Sequence, residues 1–498
     1  MLASGSLVQQ ISQVAGLLVM TLILTVLARE LTASELGVFG LLTSLAGYLL
    51  VMQNAAASAA VRNMAIATDD RERAGAFSTA VLIYAAAGAL TGVLLVALGF
   101  VLAEVIDMQA SLRSDTRIGS IALGLVTMLG WPLTIFRDAL RASQRFARAA
   151  LMDIVGSVAY GLLVLGLAVG GAPLWLLIGV SGTIPMFAGA ASFVAFRLDR
   201  LPYRFHFGAV TRAEVGSFVR LGGHVSAIEA AGVIIYALDR IILGIFRPVA
   251  TVALFEGPVR VHNLVRALNG ALNVTVLPTA AKYVGEGDAA RLRELLVRGS
   301  RYALAIVLPI TVTLMVLAEP LLEVWLGEQY GDGALALTIL VGYWLFNGST
   351  GIVGSIAVAG GRASTIARYA WTMAIGNLAL SLALTPWLGL EGVALGTTIP
   401  YLVMFPFVVR LVLQIVDVPL GELVRRAWMP SYLLGLGLAG GLVVARLTLD
   451  LFALLPLVTV ALCGPALFWI AYYLIWLEDH ERELVRDVLA GFVSRRRV

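Results

Sequence analysis

The sequence predicts an all-α polytopic membrane protein with about 14 transmembrane helices. Three observations support this fold class: the composition, the series of long apolar stretches, and the uneven distribution of the basic residues. Of the 498 residues, 60% are hydrophobic and 13% are charged, and the mean hydropathy is +0.92. A soluble chain carries roughly 25% charged residues, so this composition excludes a soluble or a disordered protein.

The apolar stretches have the length of membrane-spanning helices, and about 14 spans of about 22 residues account for roughly 310 residues. That total is close to the observed hydrophobic share. We expect the spans at roughly 7–28, 37–61, 76–103, 118–136, 150–170, 174–196, 218–246, 249–281, 302–318, 333–360, 369–387, 391–409, 430–448 and 453–477.

The basic residues predict the orientation of these spans. The loops after even-numbered spans, together with the C-terminal tail, hold 27 Lys and Arg residues, whereas the loops after odd-numbered spans hold five. Because basic residues near span ends are retained on the cytoplasmic side, both termini are expected in the cytoplasm. The net charge of +4 is small and scattered, so no nucleic-acid partner is expected.

Short motifs recur at offsets of 215 to 221 residues, which predicts a parallel internal repeat of six spans. Two such bundles facing a cleft would allow alternating access. We therefore expect an N-terminal six-helix bundle at 1–200, a second bundle at 201–417, spans 13 and 14 at 418–477, and a cytoplasmic amphipathic tail at 478–498. The recurring motifs are Arg141-Ala-Ser-Gln-Arg-Phe-Ala-Arg148 with Arg362-Ala-Ser-Thr-Ile-Ala-Arg368, Gly182-Thr-Ile-Pro185 with Thr397-Thr-Ile-Pro400, and Asp70-Arg-Glu-Arg73 with Asp288-Ala-Ala-Arg291.

Three basic residues lie inside predicted spans, where a charge costs about 3 kcal/mol and normally faces a cavity or a partner. Span 8 places its polar residues on one half of the helix, which predicts a wet, basic face. The candidate substrate-binding residues are Arg240, Arg260, Arg266, His262, Asn263 and Asn269, and the candidate ion-coupling acids are Glu229, Asp239 and Glu256.

Structural interpretations of these charges stay open. Glu256 and Arg260 are four residues apart and can neutralise each other on one helix, and Asp239 can pair with Arg240 or with a neighbouring helix. Arg266 has no acid one turn away, and its planar guanidinium suits phosphate. The four histidines are far apart and there is one cysteine, so we expect no metal site, no cofactor and no catalytic residues.

Five short segments together carry a family resemblance. They are Ala28-Arg-Glu-Leu-Thr-Ala-Ser-Glu-Leu-Gly-Val-Phe-Gly-Leu41, Asp239-Arg-Ile-Ile-Leu-Gly244, Leu277-Pro278, Gly287-Asp288 and Val418-Pro-Leu-Gly-Glu-Leu423. These segments resemble the polysaccharide transport (Wzx-type) branch of the multidrug/oligosaccharidyl-lipid/polysaccharide (MOP) flippase superfamily. The resemblance implies two six-helix bundles plus two helices, a cationic cavity, and movement of a polyprenyl-diphosphate-linked oligosaccharide across the bacterial inner membrane. Membrane lipids, a polysaccharide polymerase and a co-polymerase are the implied partners.

Two transporters of the same superfamily are alternatives: a multidrug cation antiporter, which favours an acidic cavity, and a lipid II flippase. An integral-membrane glycosyltransferase or glycan polymerase would need a large outward loop with catalytic groups. The longest predicted outward loops, 104–117 and 319–332, are too short for that, so we do not expect an enzyme.

The orientation can be tested with a phosphatase reporter that is active only outside the cytoplasm. Fusions after Asp107 and after Asp332 should be active, whereas fusions after Arg204 and at the C-terminus should be inactive, because the basic residues keep the latter segments inside. Equal activity at all four positions would contradict the predicted topology.

Overall fold

The computed structural model describes residues 2–219, 238–273, 276–483 and 486. Across these ranges the chain is helical, with short 3-10 and π-type turns and no β-strand. Predicted span 7 and the candidate acid Glu229 lie largely or wholly outside the described residues.

The helices up to Leu198 follow one another with short connections, and α9 comes after a longer segment that lies partly outside the described residues. A further short helical stretch covers 212–219. The helices are α1 (Leu2–Glu30), α2 (Ala33–Ile66), α3 (Asp70–Val105), α4 (Ala110–Leu133), α5 (Ile135–Ala142), α6 (Phe146–Val169), α7 (Leu174–Val180), α8 (Ile184–Leu198) and α9 (Asp239–Phe246).

Beyond Phe246 the helices include several short pieces joined by 3-10 or π-type turns. They are α10 (Val249–Asn273), α11 (Val276–Glu286), α12 (Ala289–Val316), α13 (Ala318–Leu326), α14 (Ala334–Gly342), α15 (Trp344–Asn347), α16 (Thr350–Ala357), α17 (Ala363–Leu388), α18 (Leu390–Val416), α19 (Leu420–Leu423), α20 (Met429–Thr448) and α21 (Leu454–Ile475).

Local sequence explains where the early helices begin. Thr32 and Glu35 form a capping box at the start of α2: the Thr32 hydroxyl accepts from the Glu35 N–H, and the Glu35 carboxylate accepts from the Thr32 N–H. Asp69 caps α3 in the same way by accepting from the Glu72 N–H. These caps satisfy N–H groups that would otherwise lack partners at the helix ends.

The predicted all-α membrane fold is confirmed. Within the described residues, ten helices are long and apolar enough to span a membrane, or eleven if the bent pair Glu328–Asn347 and Thr350–Leu388 forms one span. Four predicted spans are not among the ten helices. Span 7 lies mostly outside the described residues, span 8 corresponds to α10, which carries charges, and spans 10 and 11 fall on the bent pair. A total of 14 is compatible with this structure and stays a prediction.

The chain divides into two compact units. Unit 1 comprises residues 1–260 and 374–397, and unit 2 comprises 261–373 and 398–498. The helices α10, α17 and α18 each run from one unit into the other. The predicted bundle boundaries at 200 and 417 concern an internal repeat and stay a prediction.

A buried carboxylate organises one end of unit 1. The Asp138 side chain on α5 is fully buried, accepts a 2.7 Å hydrogen bond from the Tyr84 hydroxyl, and lies 3.5 Å from nitrogens of both Arg137 and Arg141. Both arginines also contact Asp153 on α6, at 3.3 and 3.1 Å. This network fixes α5 against α3 and α6 and neutralises Arg141, the first residue of the basic motif, whereas Arg145 and Arg148 of that motif pair with Asp199.

In unit 2 a comparable contact ties the last described residues to α12. Arg301 and Tyr302 on α12 both donate to the buried carboxylate of Glu481. The residues 479–483 are helical, and most of the predicted amphipathic tail at 478–498 lies outside the described residues. These contacts hold the end of α21 and the segment after it against α12.

Candidate functional site

The candidate site in unit 1 is built around an ion pair between α9 and α10. The Arg240 Nε donates to Glu256 Oε1 at 2.5 Å, and Arg240 Nη2 donates to Oε2 at 3.2 Å. The two side chains are only 15% and 7% exposed. A bidentate, buried pair of this kind is strongly oriented, because both carboxylate oxygens are engaged.

Helix α2 comes close to this pair because of a glycine. A Cβ atom added at Gly40 would lie 2.5 Å from Glu256 Oε1, so any other residue at this position would displace the carboxylate or the helix. Ser44 and Tyr48 follow at intervals of four residues and therefore lie on the same face of α2. The Glu256 carboxylate thus fills the notch that Gly40 leaves.

Asp239, the residue before Arg240, has different partners. It is buried, and its Oδ2 accepts a 3.0 Å hydrogen bond from the Thr397 hydroxyl, which itself accepts from the Asn377 amide at 2.9 Å. Asp239 Oδ1 and Asn377 Oδ1 are buried and have no hydrogen-bond donor among the described residues. A buried carboxylate oxygen without a donor is an acceptor that a proton or a small cation would satisfy.

Arg260 lies one turn beyond Glu256 on α10. Its Nε is buried and has no hydrogen-bond partner in the part of the chain that the structure describes. Glu256 is engaged by Arg240 on the preceding helix, so the pairing of Glu256 with Arg260 along their own helix, one of the two structural interpretations, is not what the structure adopts. The suggested pairing of Asp239 with Arg240 is replaced by the hydrogen bond from Thr397.

The predicted site residues further along α10 belong to unit 2, and two of them are buried. His262 Nδ1 lies 3.0 Å from the Leu340 carbonyl oxygen, and the ring contacts Tyr343 and Trp344 with centroid distances of 5.5 and 6.0 Å. Asn269 donates to the Gly348 carbonyl at 2.8 Å. Their polar atoms thus hold α10 against the α14–α16 segment.

The polar half of α10 is consequently divided between two roles. Arg260, Asn263 and Arg266 are only partly buried, and Ala267 is exposed on the same side of the helix. The side that carries His262 and Asn269 packs against other helices. The sequence could not separate these two sets, because a helical wheel gives the angle of a side chain but not what faces it.

Several site residues were missed in the sequence interpretation. Three residues lie close to the predicted charges in space but more than a hundred residues away in the sequence, within apolar spans. They are Gly40, Asn377 and Thr397. In the sequence, Thr397 stands out only as part of a repeated motif. In the described ranges no group of three or more His, Cys, Asp or Glu residues is positioned to hold a metal ion.

The strength of the Arg240–Glu256 pair can be measured with a double-mutant cycle. Arg240→Gln or Glu256→Gln alone leaves a buried charge without a partner and should each lower the free energy of unfolding by about 3 kcal/mol, whereas the double variant should be destabilised less than the sum. Thermal unfolding of the purified protein in detergent is the measurement. Additive effects would show that the two side chains do not interact.

Comparisons with known proteins agree with this architecture. A family described as polysaccharide biosynthesis protein matches residues 26–334. No curated protein matches the sequence at a significant level.

Solved structures with the same fold are MOP-type transporters. The lipid II flippase MurJ in an inward closed conformation has a TM-score of 0.69 at 15% identity, over 97% of this chain and 99% of that chain. An inward-facing multidrug resistance MATE family transporter of the MOP superfamily has a TM-score of 0.63 at 14% identity, over 82% and 94%. A MOP superfamily transporter from Pyrococcus furiosus, described as having a binding pocket of reverse polarity, has a TM-score of 0.55 at 14% identity, over 83% and 95%.

These likenesses confirm the predicted MOP flippase fold for a multi-pass membrane protein. The family match covers more than half of the sequence. The chain therefore belongs to the polysaccharide biosynthesis protein family.

Proposed function

We propose that this protein is a flippase of the polysaccharide transport (Wzx-type) branch. It carries a polyprenyl-diphosphate-linked oligosaccharide across the bacterial inner membrane by alternating access, with both termini in the cytoplasm. The substrate serves the synthesis of a surface or exported polysaccharide. A polysaccharide polymerase and a co-polymerase are the proposed partners, because they would use the translocated product.

Arg260 is the observation that carries this proposal. Its Nε is buried without a hydrogen-bond partner among the described residues, while the nearby acid Glu256 is engaged by Arg240. A buried guanidinium nitrogen without a hydrogen-bond partner is costly, and a phosphate group can accept two parallel hydrogen bonds from a guanidinium. An anionic ligand at Arg260 therefore satisfies a group that the chain itself leaves open.

Arg266 and Asn263 lie further along α10, in unit 2. Both are partly buried and lie on the side of α10 that also exposes Ala267. We assign phosphate contacts to Arg260 and Arg266, and sugar or phosphate hydrogen bonds to Asn263. His262 and Asn269 act by positioning α10, because their polar atoms already bond to Leu340 and Gly348.

The arginines lower the main physical barrier to flipping. Moving a diphosphate through hydrocarbon without assistance costs far more than moving a neutral polar group, because its hydration is lost. Guanidinium groups in a wet groove replace that hydration with charge-assisted hydrogen bonds. Arginine suits this role better than lysine, since it keeps its charge when partly buried.

We propose Asp239 as the residue that couples an ion gradient to this movement. Its buried Oδ1 has no hydrogen-bond donor among the described residues, so a proton or a small cation bound there would satisfy it. Glu256 is less suited, because Arg240 occupies both its oxygens. Glu229 stays a candidate outside the described residues.

A lipid II flippase is the second candidate, favoured by the extent of the likeness to MurJ, which spans nearly all of both chains. Both substrates carry a lipid diphosphate, so the arginines alone do not separate them. Depletion of the protein does: cells should lose a surface polysaccharide and stay intact under the leading proposal, and should lyse if the substrate is lipid II.

Removing Arg260 should reduce transport. Arg260→Ala is expected to lower the amount of exported polysaccharide by about tenfold or more, since a hydrogen bond to a charged group contributes about 1.5–3 kcal/mol. Arg260→Lys should recover only part of it. The measurement is surface polysaccharide per amount of protein in the membrane, with the exposed Arg368→Ala as the matched control. Normal export by Arg260→Ala and Arg266→Ala would refute the proposed anion site.

Asp239 can be tested in vesicles that contain the purified protein and a fluorescent lipid-linked oligosaccharide. An imposed proton or sodium gradient should accelerate flipping by the unmodified protein, and Asp239→Asn should remove this response because the amide cannot bind the ion as a carboxylate does. Asp70→Asn, at the exposed start of α3, should respond normally. A retained gradient response in Asp239→Asn would exclude Asp239 from coupling.

A further inference from the structure

Two glycines bring α2 unusually close to the start of α10. A Cβ atom added at Gly37 would lie 2.0 Å from the Val249 carbonyl oxygen, and one added at Gly40 would lie 2.5 Å from Glu256 Oε1. Non-bonded carbon and oxygen atoms essentially never approach within 3.0 Å, so the contact with the Val249 backbone requires glycine at Gly37, whereas a side chain at Gly40 would require the Glu256 carboxylate to move. We call these four residues, Gly37, Gly40, Val249 and Glu256, the glycine seam. All four belong to unit 1.

The residues around the glycine seam are tightly packed. Leu36 and Leu41 on α2 are almost fully buried, as are Val252 and Ala253 on α10. Next to the seam, Ser34 and Val249 line a small cavity of about 170 Å³ together with the segment around Gln109. The seam therefore closes off solvent along this part of α2 and α10.

The charge distribution indicates the side of the membrane on which the seam lies. Gly37 is in the second turn of α2, just after the loop that contains Arg29, and Val249 begins α10 just after Arg247. Both loops belong to the set with few basic residues, which the orientation rule places outside. Arg260 is eleven residues further along α10 than Val249, or about 16 Å at 1.5 Å per residue, and thus lies inward of the seam.

We propose that the glycine seam is the outer gate of the transport path. This inference rests on the proposed function and its orientation. The closed seam separates Arg260 from the outer solution, and α2 moves away from α10 to release the substrate outward. The bidentate pair with Arg240 holds the Glu256 carboxylate in the notch at Gly40. Arg240 therefore fixes the surface of α10 against which α2 closes.

The composition of the seam suits a contact that must open and close. A glycine packed against a backbone carbonyl makes a close contact without interlocking side chains, so separation needs no rotamer changes at Gly37. The neighbours of the two glycines differ in a way that can be tested. Gly37 faces rigid backbone, whereas Gly40 faces the mobile end of a glutamate side chain.

Cysteine labelling tests the gate directly. The chain has one cysteine, the exposed Cys463, so a Cys463→Ser background allows a single reporter. Ala253→Cys is the reporter: it is fully buried and lies four residues after Val249 and three before Glu256, on the same face of α10. A membrane-impermeant maleimide is applied to spheroplasts, and the rate of modification is measured.

A methyl group added at either glycine of the seam should favour the open gate, and the increase in labelling rate should differ between the two positions. Gly37→Ala should raise the labelling rate of Ala253→Cys by about tenfold, equivalent to about 1.4 kcal/mol of gate stability. Gly40→Ala should raise it less, because the Glu256 side chain can yield. Gly47→Ala, on the same helix with nothing within 4 Å of its added Cβ, should leave the rate unchanged.

A second reporter, Ala303→Cys in the buried core of unit 2, separates gate opening from unfolding. If Gly37→Ala exposes both reporters, the variant is misfolded and Gly40→Ala decides the result. Equal labelling of Ala253→Cys in the correctly folded Gly37, Gly40 and Gly47 variants would overturn the gate. The labelling of Ala253→Cys needs no glycan, so the gate can be tested separately from the proposed function. If the labelling follows the expected order in cells whose polysaccharide export does not depend on this protein, the proposed function is refuted and the gate is supported.

Discussion

The need to compensate charge in an apolar environment governs the structure around the candidate site. Arg240 and Glu256 satisfy it with each other, through two hydrogen bonds in a largely buried pair. Because Glu256 is engaged in this way, Arg260 one turn further on keeps a buried nitrogen without a partner among the described residues. The proposed anion-binding group thus arises from the way in which a neighbouring acid is neutralised.

Packing by small residues allows this arrangement to exist inside a helical membrane protein. Helices in lipid gain little from burying apolar side chains, so close backbone approach contributes much of their association. Gly37 and Gly40 let α2 reach α10, and the carboxylate of Glu256 occupies the space where a side chain would stand. The same contacts that stabilise unit 1 therefore shape the surface next to the proposed anion site.

The recurring arginine motif shows how far repetition in sequence extends to structure. Arg141, in the first copy, contacts two aspartates, Asp138 and Asp153. In the second copy Arg362 is exposed and follows Gly361, whose positive φ of 81° marks a break between α16 and α17. The sequence similarity predicts equivalent positions along the chain. It does not predict equivalent partners, because the acids that pair with the first copy lie outside the motif.

The sequence by itself determined that the protein is an all-α membrane protein, and it predicted which charges to expect at membrane depth. Composition and periodicity carry this information, since bilayer thickness and the cost of charge in lipid act on every residue separately. Only the tertiary structure decided the partners. Arg240 and Glu256 are 16 residues apart, and Asp239 and Thr397 are 158 apart. Such pairs depend on which helices become neighbours, and that is set by packing summed over the whole fold.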